Sequence, residues 1–219
     1  LQQMNRLHLN QHDRDPQLEA RISAFELAYR MQAEAQDAFD ISKESAATRK
    51  MYGEGDFANA CLMARRLAER GVRFIQLFHV GWDTHGNLIR EISMQSEDTD
   101  QPTAALIKDL KQRGMLDDTL VVWAGEFGRT PAAQGNGRDH HAAAHTVWMA
   151  GGGVKGGIKV GQTDELGEQI ASAKHPIRDI HATILQALGI DNHLLTFLHN
   201  GRLQRLTDTG GSVIPGVLA

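Results

Sequence analysis

The chain has 219 residues, 41% of them apolar, a formal net charge of -4 and a single cysteine. That length allows one substantial domain with its own core, while the charge excludes a general attraction to nucleic acid or to an anionic membrane. Cys61 alone excludes an internal disulfide, no apolar run approaches the roughly twenty residues that span a bilayer, and no charged-then-apolar opening marks a signal peptide.

The first ten or so residues are polar, with His8 and His12 in settings that fit exposed or capping roles. Asp15-Pro16 predicts a helix start, and Leu18, Ile22, Phe25 and Tyr29 follow at helical spacing, with Met31, Ala35 and Phe39 extending the buried stripe. Residues 41–56 read as a linker or a set of short turns. Phe57, Ala60, Cys61, Ala64, Leu67 and Ala68 then share one helical face, which makes Cys61 a small core residue. Arg65, Arg66, Glu69 and Arg70 supply the wet side of that helix, and Gly71 stops it.

Residues 72–79 (VRFIQLFH) have the length and composition of a strand. Residues 90–100 are charged and irregular, as a lid or a solvated connector would be. Thr99, Asp100 and Pro102 predict the next helix start, with Ala105, Leu106 and Leu110 buried and Gly114 at its end. The apolar run 119–124 is a second strand, and strand, helix and strand together favour a predominantly parallel sheet covered by helices. Residues 146–150 form a further short strand, and the glycine loop 151–157 after it reads as a structural turn. Pro176 opens a last helix with Ile177, Ile180, Ile184 and Leu188 facing the core, His181 as a structural histidine and Gly189 as the stop. Residues 203–214 read as a terminal β-hairpin turning at Thr209 to Gly211.

Polar groups collect where the apolar runs end. The first group is HVGWDTHGN, residues 79–87, in which Asp83 and His85 are ligands suited to zinc, manganese or iron, or a hydrogen-bonded pair bracing a loop. Beyond the second strand, Glu126 can bind a cation or accept a proton, Arg129 can hold an oxyanion, and Thr130 can orient it. The run GEFGRTP lacks the Lys-Ser/Thr ending of a nucleotide-binding loop. A third group is Arg138, Asp139, His140 and His141. Adjacent imidazoles point to opposite faces of a regular strand, so both binding one ion requires a turn. One can coordinate while the other, or His145, supports it, and Arg138 can hold substrate or pair with Asp139.

Taken in order, GWDTHGN (81–87), LVVWAGEFGRTP (120–131), GRDHH (137–141), WMAGGGVKGG (148–157), HATILQALGI (181–190) and HNGRLQRLTD (199–208) resemble the DUF1501 family, placed among sulfatase-like members of the alkaline phosphatase superfamily. These motifs cover nearly all of the chain. The resemblance implies a three-layer alpha/beta/alpha, alkaline-phosphatase-like or sulfatase-like fold, forming a single domain over residues 1–219 without its amino-terminal part. It further implies a metal-dependent hydrolase of small phosphate or sulfate esters, or a noncatalytic structural or interaction protein that keeps the fold. The cofactor implied is one or two divalent cations such as zinc, manganese or calcium. By the same resemblance Asp83, His85, Glu126 and His140 hold metal, with His141 as the alternate imidazole, and Arg129, Thr130 and Arg138 contact substrate. The superfamily spaces its Asp and His by four positions where this chain has two, and often carries Asp-His where this chain has Glu126-Phe127. No nucleophile is assigned, because the section expected to supply it and an early acidic ligand is not recognisable. An exported or periplasmic bacterial setting follows from the family alone.

Overall fold

Helix α1, Gln2–Gln11, and α2, Pro16–Phe39, open the computed structural model, which describes residues 2–11, 16–207 and 210–219. His12, Asp15 and Thr209 lie outside the described residues, as do the side chains of Met31 and Ala35. Pro16 is the first residue of α2, where a missing N–H costs nothing. The expected buried stripe is not buried: Phe25, Tyr29 and Phe39 are exposed. The reason is that α2 reaches the body of the protein chiefly at its end, where the carbonyls of Asp37 and Ala38 accept from Arg66.

Residues 41–56 are more ordered than a linker. A 3₁₀ turn, Ile41–Lys43, leads to α3, Ala46–Tyr52, whose first turn is capped by Ser45 Oγ accepting from Thr48 N–H at 3.0 Å. Helix α4, Asp56–Glu69, and α5, Leu88–Gln112, pack with α3 around Tyr52, Cys61, Leu62 and Ala105. Burial pushes the Cys61 thiol up to about 12, so it is an inert core group.

Two sequence expectations fail in this layer. Arg65 and Arg66, read as the wet side of α4, are buried at 1% and 5% exposure. Carboxylates line their path: Arg65 pairs with Glu44 at 2.7 Å, Glu69 at 2.6 Å and Asp109 at 2.9 Å, and Arg66 also meets Glu44. The second concerns α5, which begins at Leu88, so residues 90–100 are helical and Pro102 lies inside the helix. Its buried face, Gln95, Thr99, Pro102, Ala105 and Asp109, keeps helical spacing through the proline. Gly114 does close the helix: with Gly114 at φ +68°, Met115 N–H reaches back to Leu110 O at 2.8 Å.

The β-structure is mixed with the helices as small antiparallel pairs rather than a parallel sheet. Among the described residues four two-stranded sheets form. β1, Leu120–Ala124, pairs with β4, Val147–Gly151; β2, Gly128–Gln134, pairs with β3, Gly137–His141. β5, Gln162–Thr163, pairs with β6, Ile170–Ser172, and β7, Thr196–His199, with β8, Arg202–Arg205. The strand expected over Val72–His79 is irregular chain outside any sheet, and β1 pairs with β4 instead. Trp82, Trp123 and Trp148 join these parts, the last two rings stacked at 6.2 Å.

Helix α6, Ile177–Ala187, buries Ala182, Thr183 and Leu185 rather than Ile177 and Leu188, which are exposed, and His181 is exposed as well. The helix is turned by polar contacts to the carboxyl-terminal segment, where Thr183 Oγ1 accepts from Ile214 N–H at 2.9 Å and Asp179 accepts from Ser212 N–H at 3.0 Å. The expected hairpin over 203–214 lies earlier, at β7–β8, turning on Asn200-Gly201 with both φ positive. Of the segment 203–214, only Leu203–Arg205 is strand among the described residues. No helix among the described residues is long and apolar enough to cross a membrane.

Candidate metal centre

The site forms where the 81–87 loop meets the β2–β3 hairpin. The hairpin turns through Gly135-Asn136 with Gln134 opposite Gly137, and Gly135 at φ +61° supplies the left-handed position of a tight turn. Asn136 ties the turn to the loop: its carbonyl accepts from Leu88 N–H at 3.0 Å and its side chain accepts from Asn87 N–H at 3.1 Å. Arg138 N–H adds a bond of 2.9 Å to Thr84 O. Gly137 has no room for a side chain, since a Cβ there would come within 2.1 Å of the His85 carbonyl carbon.

This contact brings together Asp83, His85 and His140. Asp83 Oδ1 lies 2.9 Å from His85 Nε2 and 3.1 Å from His140 Nε2, and the two nitrogens are 3.1 Å apart. Three ligand atoms at nearly equal separations fit one ion: bonds of about 2.1 Å meeting at right angles set their ligands about 3.0 Å apart. The donor set fits too. His85 Nδ1–H donates to Gln134 Oε1 at 2.6 Å, which fixes the tautomer and turns the Nε2 lone pair toward the cluster. A carboxylate oxygen and an imidazole lone pair converge there, and two acceptors at that distance need a proton or a cation between them.

Arg129, opposite His140 in the hairpin, donates through Nη1 to Asp83 and through Nη2 to Glu126 at 2.7 Å. Hydrogen bonds from Arg129 and then His140 hold the Asp83 carboxyl below its ordinary range. With neutral imidazoles, the two carboxylates and one guanidinium leave one net negative charge, which a divalent cation would offset. Phe127 walls one side, its ring 4.4 Å from the His140 ring and its face 5.1 Å from the Arg129 guanidinium carbon.

The remaining sequence candidates fall elsewhere. Glu126 is joined to the cluster through Arg129 rather than directly. His141 points to the other side of β3, buried, with Nε2–H donating to Gly167 O at 3.0 Å and Nδ1 accepting from Ala143 and Ala144 N–H. Both of its nitrogens are used, so it braces the 142–144 turn and is not brought to the Asp83 cluster. Thr130 Oγ1 donates to Ala132 O and accepts from Asp139 N–H, and Arg138 donates to Thr130 O. Those bonds stabilise the hairpin. Gln134 and Phe127 complete the site without any signal of their own in the sequence; only reading Gln-Gly-Asn-Gly as a two-residue hairpin would have placed Gln134 near a ligand.

A family model described as a protein of unknown function, DUF1501, matches residues 1–218. The chain belongs to the DUF1501 family. No curated protein and no solved structure matches it. Within this DUF1501 protein, the motifs 81–87 and 137–141 supply the three groups of the Asp83 cluster, and the motif 120–131 reaches it through Arg129 and Phe127.

Proposed function

We propose that the chain holds one divalent cation through Asp83, His85 and His140 and hydrolyses a phosphate or sulfate ester there. The observation that supports this reading most is the triangle of ligand atoms, 2.9 to 3.1 Å on each side, beside a guanidinium. The ester class, and a sulfatase-like fold of the alkaline phosphatase superfamily, come from the order of the motifs. Two imidazoles and one carboxylate suit zinc or manganese better than calcium, which takes oxygen ligands. Such an ion supplies Lewis acidity toward an ester oxygen and lowers the pKa of bound water.

The protein's own residues supply the rest. Arg129 offers its guanidinium to the nonbridging oxygens of the ester, and Glu126 keeps that guanidinium aimed across the site. Gln134 orients His85, and Phe127 excludes water from one side of His140. The same cluster ties the 81–87 loop to the hairpin, which favours a second role as a structural clamp without turnover.

Hydrolysis of 4-nitrophenyl phosphate and 4-nitrophenyl sulfate by metal-depleted protein, before and after adding zinc or manganese, tests both roles. Turnover that returns with the ion and is lost in His85→Ala supports the hydrolase, with Arg129→Ala raising KM. Ion binding that raises Tm with no turnover of either ester supports the clamp. No ion binding at all would sink both.

A further inference from the structure

We propose that residues 72–80 form a self-pairing edge, through which two copies of the chain join antiparallel about a twofold axis at Gln76. The segment lies outside every helix, strand and turn, and among the described residues the backbone groups of 73–80 make no backbone hydrogen bond, the last such bond before them being Val72 N–H to Leu67 O at 3.1 Å. A run of free N–H and C=O groups this long is a template for another strand.

The side chains already alternate as a strand's do. Ile75, Leu77 and His79 are half-buried, and Leu77 packs against the core of the helix layer. Phe74, Phe78 and Val80 point the other way and are 77%, 79% and 83% exposed. Large apolar groups in a row beside an open backbone edge mark an association surface.

What identifies the occupant as a second copy is the residue order. Read outward from Gln76, the segment is chemically palindromic: Ile75 and Leu77, Phe74 and Phe78, Arg73 and His79, Val72 and Val80. A twofold interface demands that one surface complement itself. Antiparallel pairing centred on Gln76 sets each Phe74 opposite a Phe78 and each Ile75 opposite a Leu77. Because residues of like parity face each other, every exposed phenylalanine stays on one face and both helix layers cover the other. A different partner would require no such symmetry.

Sedimentation velocity of the full chain over a wide concentration range tests the pairing. Two double substitutions distinguish the register. F74K/F78K sets lysine opposite lysine at both aromatic pairs, whereas F74E/F78K sets glutamate opposite lysine. Wild type and F74E/F78K are expected to form a concentration-dependent dimer, and F74K/F78K to be monomeric or to dissociate at a concentration at least tenfold higher. A monomeric wild type overturns the proposal, including one that binds an unrelated strand instead, as does equal behaviour of the two doubles. If circular dichroism shows either double unfolded, Gln76→Pro replaces it, because it removes the N–H at the axis and leaves the aromatic face intact. Loss of the dimer supports the pairing, and an unchanged dimer overturns it.

Discussion

Two charged clusters in this molecule are built from similar groups and have opposite characters. Between α3, α4 and α5, Arg65 is almost wholly buried and meets Glu44, Glu69 and Asp109, while Arg113 meets Asp109 and Glu69. Burial alone would lower the Arg65 pKa, but hydrogen bonds that Arg65 donates to Glu44 and Glu69, and the charges of Glu69 and Asp109, outweigh it and raise the value. At the loop–hairpin junction, Asp83, His85 and His140 are exposed and converge on one point. Every charge in the first cluster has an opposite neighbour, whereas the second holds more acceptors than cations. The first holds helices together, and the second is the place where an ion is proposed to bind.

Substitutions separate the two. Arg65→Met takes from half-buried Glu44 and buried Asp109 the cation they share, leaving Arg66 and Arg113 beside them, and is expected to cost about 3 to 5 kcal/mol in urea denaturation, while ion binding at the Asp83 cluster is expected to be unchanged. Gly137→Ala pushes a methyl into the His85 backbone, so it is expected to abolish ion binding and lower stability by roughly 1 to 3 kcal/mol. Equal ion affinity in that variant would break the link between hairpin and loop. Gln134→Ala removes only the acceptor of His85 Nδ1–H. It should weaken ion affinity by about 10- to 100-fold with Tm nearly unchanged, as calorimetric titration and thermal melts would show.

Acid sharpens the contrast with the smallest effect. Burial raises the Glu44 carboxyl, but hydrogen bonds and charge from Arg65 and Arg66 outweigh it and hold the value below its ordinary 4.5. Lys43 and Arg70 hold Asp37 at about 2, against an ordinary 3.8. Both are depressed in the folded state, so each contributes stability that is present above its unfolded value and lost as pH falls through its folded one. Stability of the apo protein is expected to fall from about pH 4.5 toward pH 2. Glu44→Gln should flatten the upper part of that decline in pH-dependent melts, and an identical slope would contradict the role given to Glu44.

The site was more legible than the frame that carries it. Asp83 and His85 stand out because they follow an apolar run and His140 because it sits in a cluster of Arg, Asp and His after a Gly/Asn turn, and the alternation of a strand already implied that His140 and His141 face apart. Helix termini marked by Gly114 and Gly189 were readable because their left-handed backbone is local chemistry. Arg65 and Arg66 were misread because their burial depends on carboxylates 21 or more residues away, as Glu44 and Asp109 are. Residues 72–79 carry strand composition, but a strand also needs a partner edge, which no local pattern supplies. Pro102 read as a start because proline favours first turns, yet the buried stripe of α5 carried the helix through it.

Asp83, His85 and His140 are proposed to bind one divalent ion together. Calorimetric titration of the metal-depleted protein with zinc or manganese tests it most directly, alongside Asp83→Asn and His140→Ala. The expected result is one ion per chain, with affinity reduced about 100-fold or more in each variant, beyond the effect of an outer partner. An ion bound with equal affinity by all three proteins, or by none of them, would contradict it.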